Sequence, residues 1–155
     1  MSKSSIRLGL GAAGLAFLSL VAAVTIAIAA PEKKSVAGIK NIMIAVNDEK
    51  VGFYGMITAF VATNPGKDKA DEWKLMRHRA QIMAECGNVL MDKSPPLGAD
   101  DAAGQAKWLQ HCADFRETCK KLSKALAMKR LEKVQAALKD VQARCDACHD
   151  DHRSK

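Results

Sequence analysis

Aromatic residues are scarce in this chain, with four Phe, two Trp and one Tyr in 155 positions, and there are only four prolines. No nucleophile stands beside a base, no carboxylates are paired, and no glycine loop is built to cradle a phosphate. Those absences exclude the common hydrolytic and phosphoryl-transfer sites, and a non-enzyme is expected. No stretch reads as a βαβ unit. Lys and Arg are spread along the chain with matching Asp and Glu, so the net charge of +7 reads as a solvated helical surface and no nucleic-acid partner is expected. What the chain does have is Ala, Leu, Lys, Met and Gln, a composition that favours helix and makes all-α the expected class. The length suits one domain with a modest core.

One uncharged run covers residues 8–30, after Lys3 and Arg7, with small residues near its end. This pattern predicts a secretory signal over residues 1–29, cut after Ala29, leaving a domain over residues 30–155. An uncleaved membrane anchor is the competing reading, because 23 uncharged residues can span a bilayer. Either way the remainder is expected to be exported, to the periplasm or another extracytoplasmic space, with the basic end staying inside. Without the two leader cations, 22 basic residues face 17 acidic ones, a net +5 that favours encounter with an acidic partner.

Four helical stretches are predicted from apolar residues at steps of three and four. The first starts near Ser35 and Val36 and runs through Ile39, Met43 and Val46. Its stripe resumes at Phe53, Ile57 and Phe60, with a kink or break between Asn47 and Gly52, and Asn64-Pro65-Gly66 ends it. The second, over 69–92, carries Trp73, Met76, Ala80, Met83, Gly87 and Leu90, and Pro95-Pro96 stops it. The third, over 101–127, carries Trp108, Cys112, Phe115, Cys119, Leu122 and Leu126. The fourth, over 128–153, carries Leu131, Val134, Leu138, Val141, Cys145 and Cys148. Short connections make sequential helices antiparallel neighbours, so the predicted fold is an antiparallel four-helix bundle.

The last eleven residues contain Cys145-Asp-Ala-Cys148-His149, the Cys-x-x-Cys-His spacing that attaches a c-type haem. Two thiols one helical turn apart can add across the two haem vinyl groups, and the next residue brings an imidazole under the iron. Cys-x-x-Cys also serves zinc knuckles and dithiol redox sites. The zinc reading would use Cys145, Cys148 and His149 or His152, but no second Cys pair or distant His pair supplies the usual spacing. The redox reading wants the βαβ context that is missing. Cys145 and Cys148 also continue the inward series of Leu131 to Val141 in register, which a surface knuckle would have no reason to do. One covalent haem, at the C-terminal end of the fourth helix, is the expected cofactor.

In an up-down-up-down bundle, Ile39, Met43, Cys86, Leu90, Trp108 and Cys112 share the level of Cys145 and Cys148. Met43 is the leading candidate for the distal face of the iron, as a ligand that would raise the reduction potential or as a core residue covering a five-coordinate site open to small gases. Cys86 and Cys112 can be read as a disulfide, as thiolate ligands or as buried small hydrophobes. Cys112 and Cys119 cannot pair with each other, since seven residues of helix separate them by about 10.5 Å. Cys119 reads best as a buried hydrophobe. His78 and His111 are expected on the solvent side. His152 either tunes the haem edge or is exposed, and Arg153 could contact a haem propionate.

A C-terminal Cys-x-x-Cys-His followed by Arg153, on the last helix of an exported four-helix chain, resembles the class II cytochromes c, the cytochrome c′ family and its low-spin Met-ligated relatives. The resemblance implies covalent haem on Cys145 and Cys148 with His149 as proximal ligand. It also implies electron transfer with a redox partner protein, or binding of nitric oxide and carbon monoxide, and a homodimer through the first two helices. The segment Ile42-Met43 looks like the place where the Met-ligated relatives carry their sixth ligand. The polar stretch of Asn47 to Lys50 and the extra cysteines depart from that pattern.

Overall fold

In the computed structural model, the residues described are 37–48, 50–93 and 102–152. They form five helices, α1 (Ile39–Asn47), α2 (Phe53–Ala62), α3 (Ala70–Met91), α4 (Ala102–Ala127) and α5 (Leu131–His152), and no strand. All belong to one unit, Lys34–Lys155. The leader expected over 1–29, the start near Ser35 and Val36, the Pro95-Pro96 stop and Arg153 lie outside the described residues. No described helix is long and apolar enough to cross a membrane.

The break expected in the first stretch separates α1 from α2. Asp48 makes it: one carboxylate oxygen accepts the backbone N–H groups of Lys50 and Val51, both at 2.9 Å, and these bonds hold its pKa below the ordinary value. Such a side-chain turn competes with the helical ladder. Gly52 then passes so close to the chain that a Cβ would lie 2.5 Å from the backbone N and O of Asp48. Only glycine fits there.

The α2–α3 turn uses Asn64 at φ 50°, a left-handed position that Asn tolerates. Trp73 fastens it, donating its indole N–H to the Gly66 carbonyl at 2.9 Å and meeting Phe60 edge-on at 5.0 Å between ring centres. The α4–α5 turn uses Lys129 at φ 51°, so α5 begins at Leu131 and not at the expected 128. The Lys129 ammonium donates to the Lys67 carbonyl at 3.0 Å, which holds both turns at one end of the molecule.

At the other end, the Trp108 indole donates to the Leu90 carbonyl at 3.1 Å, and Lys107 meets Asp151 at 2.6 Å. The start of α4 therefore lies beside the ends of both α3 and α5, and each of these helices runs antiparallel to α4. The interior follows the expected stripes: Trp73, Met76, Ala80, Met83 and Leu90 are buried, as are Trp108, Cys112, Phe115, Cys119, Leu122 and Leu126. Val134, Leu138 and Val141 close it from α5.

Candidate functional site

The apolar stripe of α5 runs from Val141 into the half-buried Cys145 and Cys148. With His149 these residues line one side of a cleft, and Met43, Val46 and Asn47 of α1 line the other. Leu90 of α3 and Cys112 and Phe115 of α4 complete the apolar wall. Sequence layering placed Met43, Leu90 and Cys112 at this level, and all three reach the cleft. Ile39 and Cys86 do not line it. Trp108 is buried behind it against the His152 ring.

Among the described residues, no Cα of α1 comes within 8 Å of one in α4 or α5, so side chains alone bridge the cleft. The cleft is partly open to solvent and has about 30 Å³ of internal space, room for a water or two. A haem-sized group is larger than that space. The donor set fits such a group: two thiols one turn apart, an adjacent imidazole, a thioether on the opposite wall and an otherwise apolar lining.

All five thiols are unbonded, including Cys86 and Cys112. Burial pushes the Cys145 thiol up to about 11, helped by the neighbouring Asp146 and Cys148 and opposed by a hydrogen bond with the Asn47 side chain. Burial pushes Cys112 up to about 12, with Cys148 adding to it, and also raises Cys86, Cys119 and Cys148. These thiols stay protonated at neutral pH. A dithiol oxidoreductase works through a lowered thiol pKa, the opposite direction. Among the described residues, no three His, Cys, Asp or Glu side chains converge as a metal ion would demand. Haem attachment asks only for two thiols and one imidazole.

Two histidines depart from expectation. His111, expected on the solvent side, is half-buried, lines the cleft and lies 2.7 Å from the Asp151 carboxylate. His152 is 4% exposed, so the exposed reading does not hold. The signal for His111 was present in the spacing, since it lies three residues after Trp108 and four before Phe115. Arg144 was also missed; it borders the cleft and reaches Asp114 at 3.7 Å. His78 is exposed, 3.1 Å from Gln81, on the solvent side as expected.

Comparison of the chain with protein-family models, with curated proteins and with solved structures finds no match.

Proposed function

We propose that the chain is an exported monohaem c-type cytochrome of class II type, built as an antiparallel four-helix bundle whose first arm is α1 and α2 together. One observation carries this reading: both thiols of Cys-x-x-Cys and the following imidazole face the same apolar cleft, with a methionine on the opposite wall. Cys145 and Cys148 would hold the haem covalently through their sulfur atoms, and His149 would supply an imidazole to the iron. Met43 is the candidate distal ligand. The bound haem supplies one-electron redox chemistry. The chain's own residues would hold it, with the apolar Val46, Leu90 and Phe115 beside it to exclude water and Arg144 at the border of the cleft.

Arg144 borders the cleft and takes the role of propionate partner alongside Arg153. An acidic redox protein is the partner that the basic balance favours.

The test is a spectrum of both redox states, with a pyridine haemochrome assay, on chain produced in a host that attaches c-type haem. Covalent haem is expected in the wild type, and His149→Ala should abolish its native spectrum; a normal spectrum in that variant would sink the assignment. Carbon monoxide added to the ferrous protein separates the two distal states. A Met43-ligated iron leaves the bands unchanged until Met43→Leu opens the site, whereas a five-coordinate iron binds the gas in both proteins.

A further inference from the structure

The last turn of α5, which follows Cys148 and His149, is fastened to α4 by a continuous set of contacts. His111 Nε2 lies 2.7 Å from one Asp151 oxygen, and the Lys107 ammonium lies 2.6 Å from the other. On the inner side the His152 ring meets His111 edge-on at 5.7 Å and Trp108 edge-on at 5.4 Å between centres. Trp108 in turn donates to the Leu90 carbonyl at the end of α3. His111 also lines the same cleft as Cys148 and His149. The order is α3 backbone, Trp108, His152, His111, Asp151.

A helix end frays because its final carbonyls lack partners. Here the residues two and three beyond His149 are held from both sides by α4, one through a bidentate carboxylate and one through ring packing. That restraint fixes the rotation of the turn that presents the imidazole, since Asp151 and His152 cannot turn without carrying His149 along. An axial ligand's orientation is commonly set by such supporting contacts, and their loss loosens the ligand without removing it.

We propose that His111 is a positioning residue, clamping the C-terminal turn of α5 through Asp151 so that the His149 imidazole is held at one orientation toward the iron. The inference rests on the haem reading. It assigns His111 a role that neither its sequence neighbours nor the Cys-x-x-Cys-His motif indicates.

Three variants test it: His111→Ala, His111→Gln and Asp151→Asn, each as full chain matured with haem. Amide hydrogen exchange over residues 145–152 should rise at least tenfold in His111→Ala and Asp151→Asn, with exchange in the first half of α3 unchanged. The ferric electron paramagnetic resonance signal should broaden or split in the same two proteins, because the imidazole samples several orientations. His111→Gln keeps a donor for Asp151 and should restore both readouts toward wild type.

Covalent haem with unaltered exchange and an unaltered ferric signal in His111→Ala overturns the clamp and leaves the haem reading standing. The same holds if His111→Gln behaves no better than His111→Ala. A wild-type chain that carries no haem overturns the functional reading and, with it, the axial role, whatever the exchange data show.

Discussion

Cys112 sits 2% exposed in the wall of the cleft, and its environment decides what it can do. A thiolate there would bind iron strongly, but burial holds the group as a thiol to about pH 12. Against its ordinary value of 9.0, this leaves about 10³-fold less thiolate at pH 8, and thiolate is the reactive species. Iodoacetamide at pH 8 should therefore label native Cys112 about 10³-fold more slowly than the urea-unfolded chain; equal rates would show the thiol to be ionised or exposed. The raised pKa also has a stability sign. Below the unfolded pKa of about 9 both states keep the proton and the burial is fully retained. Stability falls as pH rises from about 9 through about 12, because only the unfolded chain gives up its proton easily. An alkaline denaturation series on the chain before haem attachment should lose stability in that window, and less of it in Cys112→Ala.

The close crossing of α3 and α4 is an element-scale feature that one residue permits. A Cβ on Gly87 would lie 2.8 Å from the Arg116 Cβ and 3.1 Å from the Cys112 carbonyl, so the helices approach through the missing side chain. Gly87→Val should destabilise the fold by about 1–3 kcal/mol, the usual range for overpacking, read as a lower urea midpoint at unchanged slope. An unchanged midpoint would mean that the helices part without cost. Gly87 was legible in the sequence as an inward position of the α3 stripe, as were nearly all the large buried residues of α3, α4 and α5. A stripe names one residue per turn, whereas a packed helix buries an arc of 100° or more. Ile42, Val61 and Ala84 are buried for that reason, without lying on the stripes. His111 was misread because its polarity outweighed its spacing, and its partner Asp151 lies 40 residues away, beyond any local pattern. The Asp48 turn was visible only as a polar interruption; that its carboxylate would cap two N–H groups needed the backbone.

At the scale of the whole molecule, charge separates steering from contact. Four cations, Arg77, Arg116, Lys120 and Lys124, line with Glu85 a groove between α3 and α4 that shares no residue with the cleft. Two of its cations are already engaged, since Glu117 takes Arg116 at 3.4 Å and Lys120 at 2.9 Å. Arg77 and Lys124 then contribute chiefly to the long-range field, which orients and accelerates encounter with an acidic protein without adding a contact. That field reaches about 30 Å at 0.01 M salt and about 10 Å at 0.1 M. If the chain carries haem as proposed, its reduction by an acidic electron-donor protein should therefore slow about tenfold or more between those concentrations. Reduction by a small uncharged hydroquinone should hardly change. The double variant Arg77→Glu, Lys124→Glu should cut the low-salt rate with the acidic donor and leave the rate at 0.1 M nearly unaltered, since the cleft and its thiols are untouched. A loss of equal size at both concentrations would mean that the groove is itself the docking surface and that its cations do more than steer.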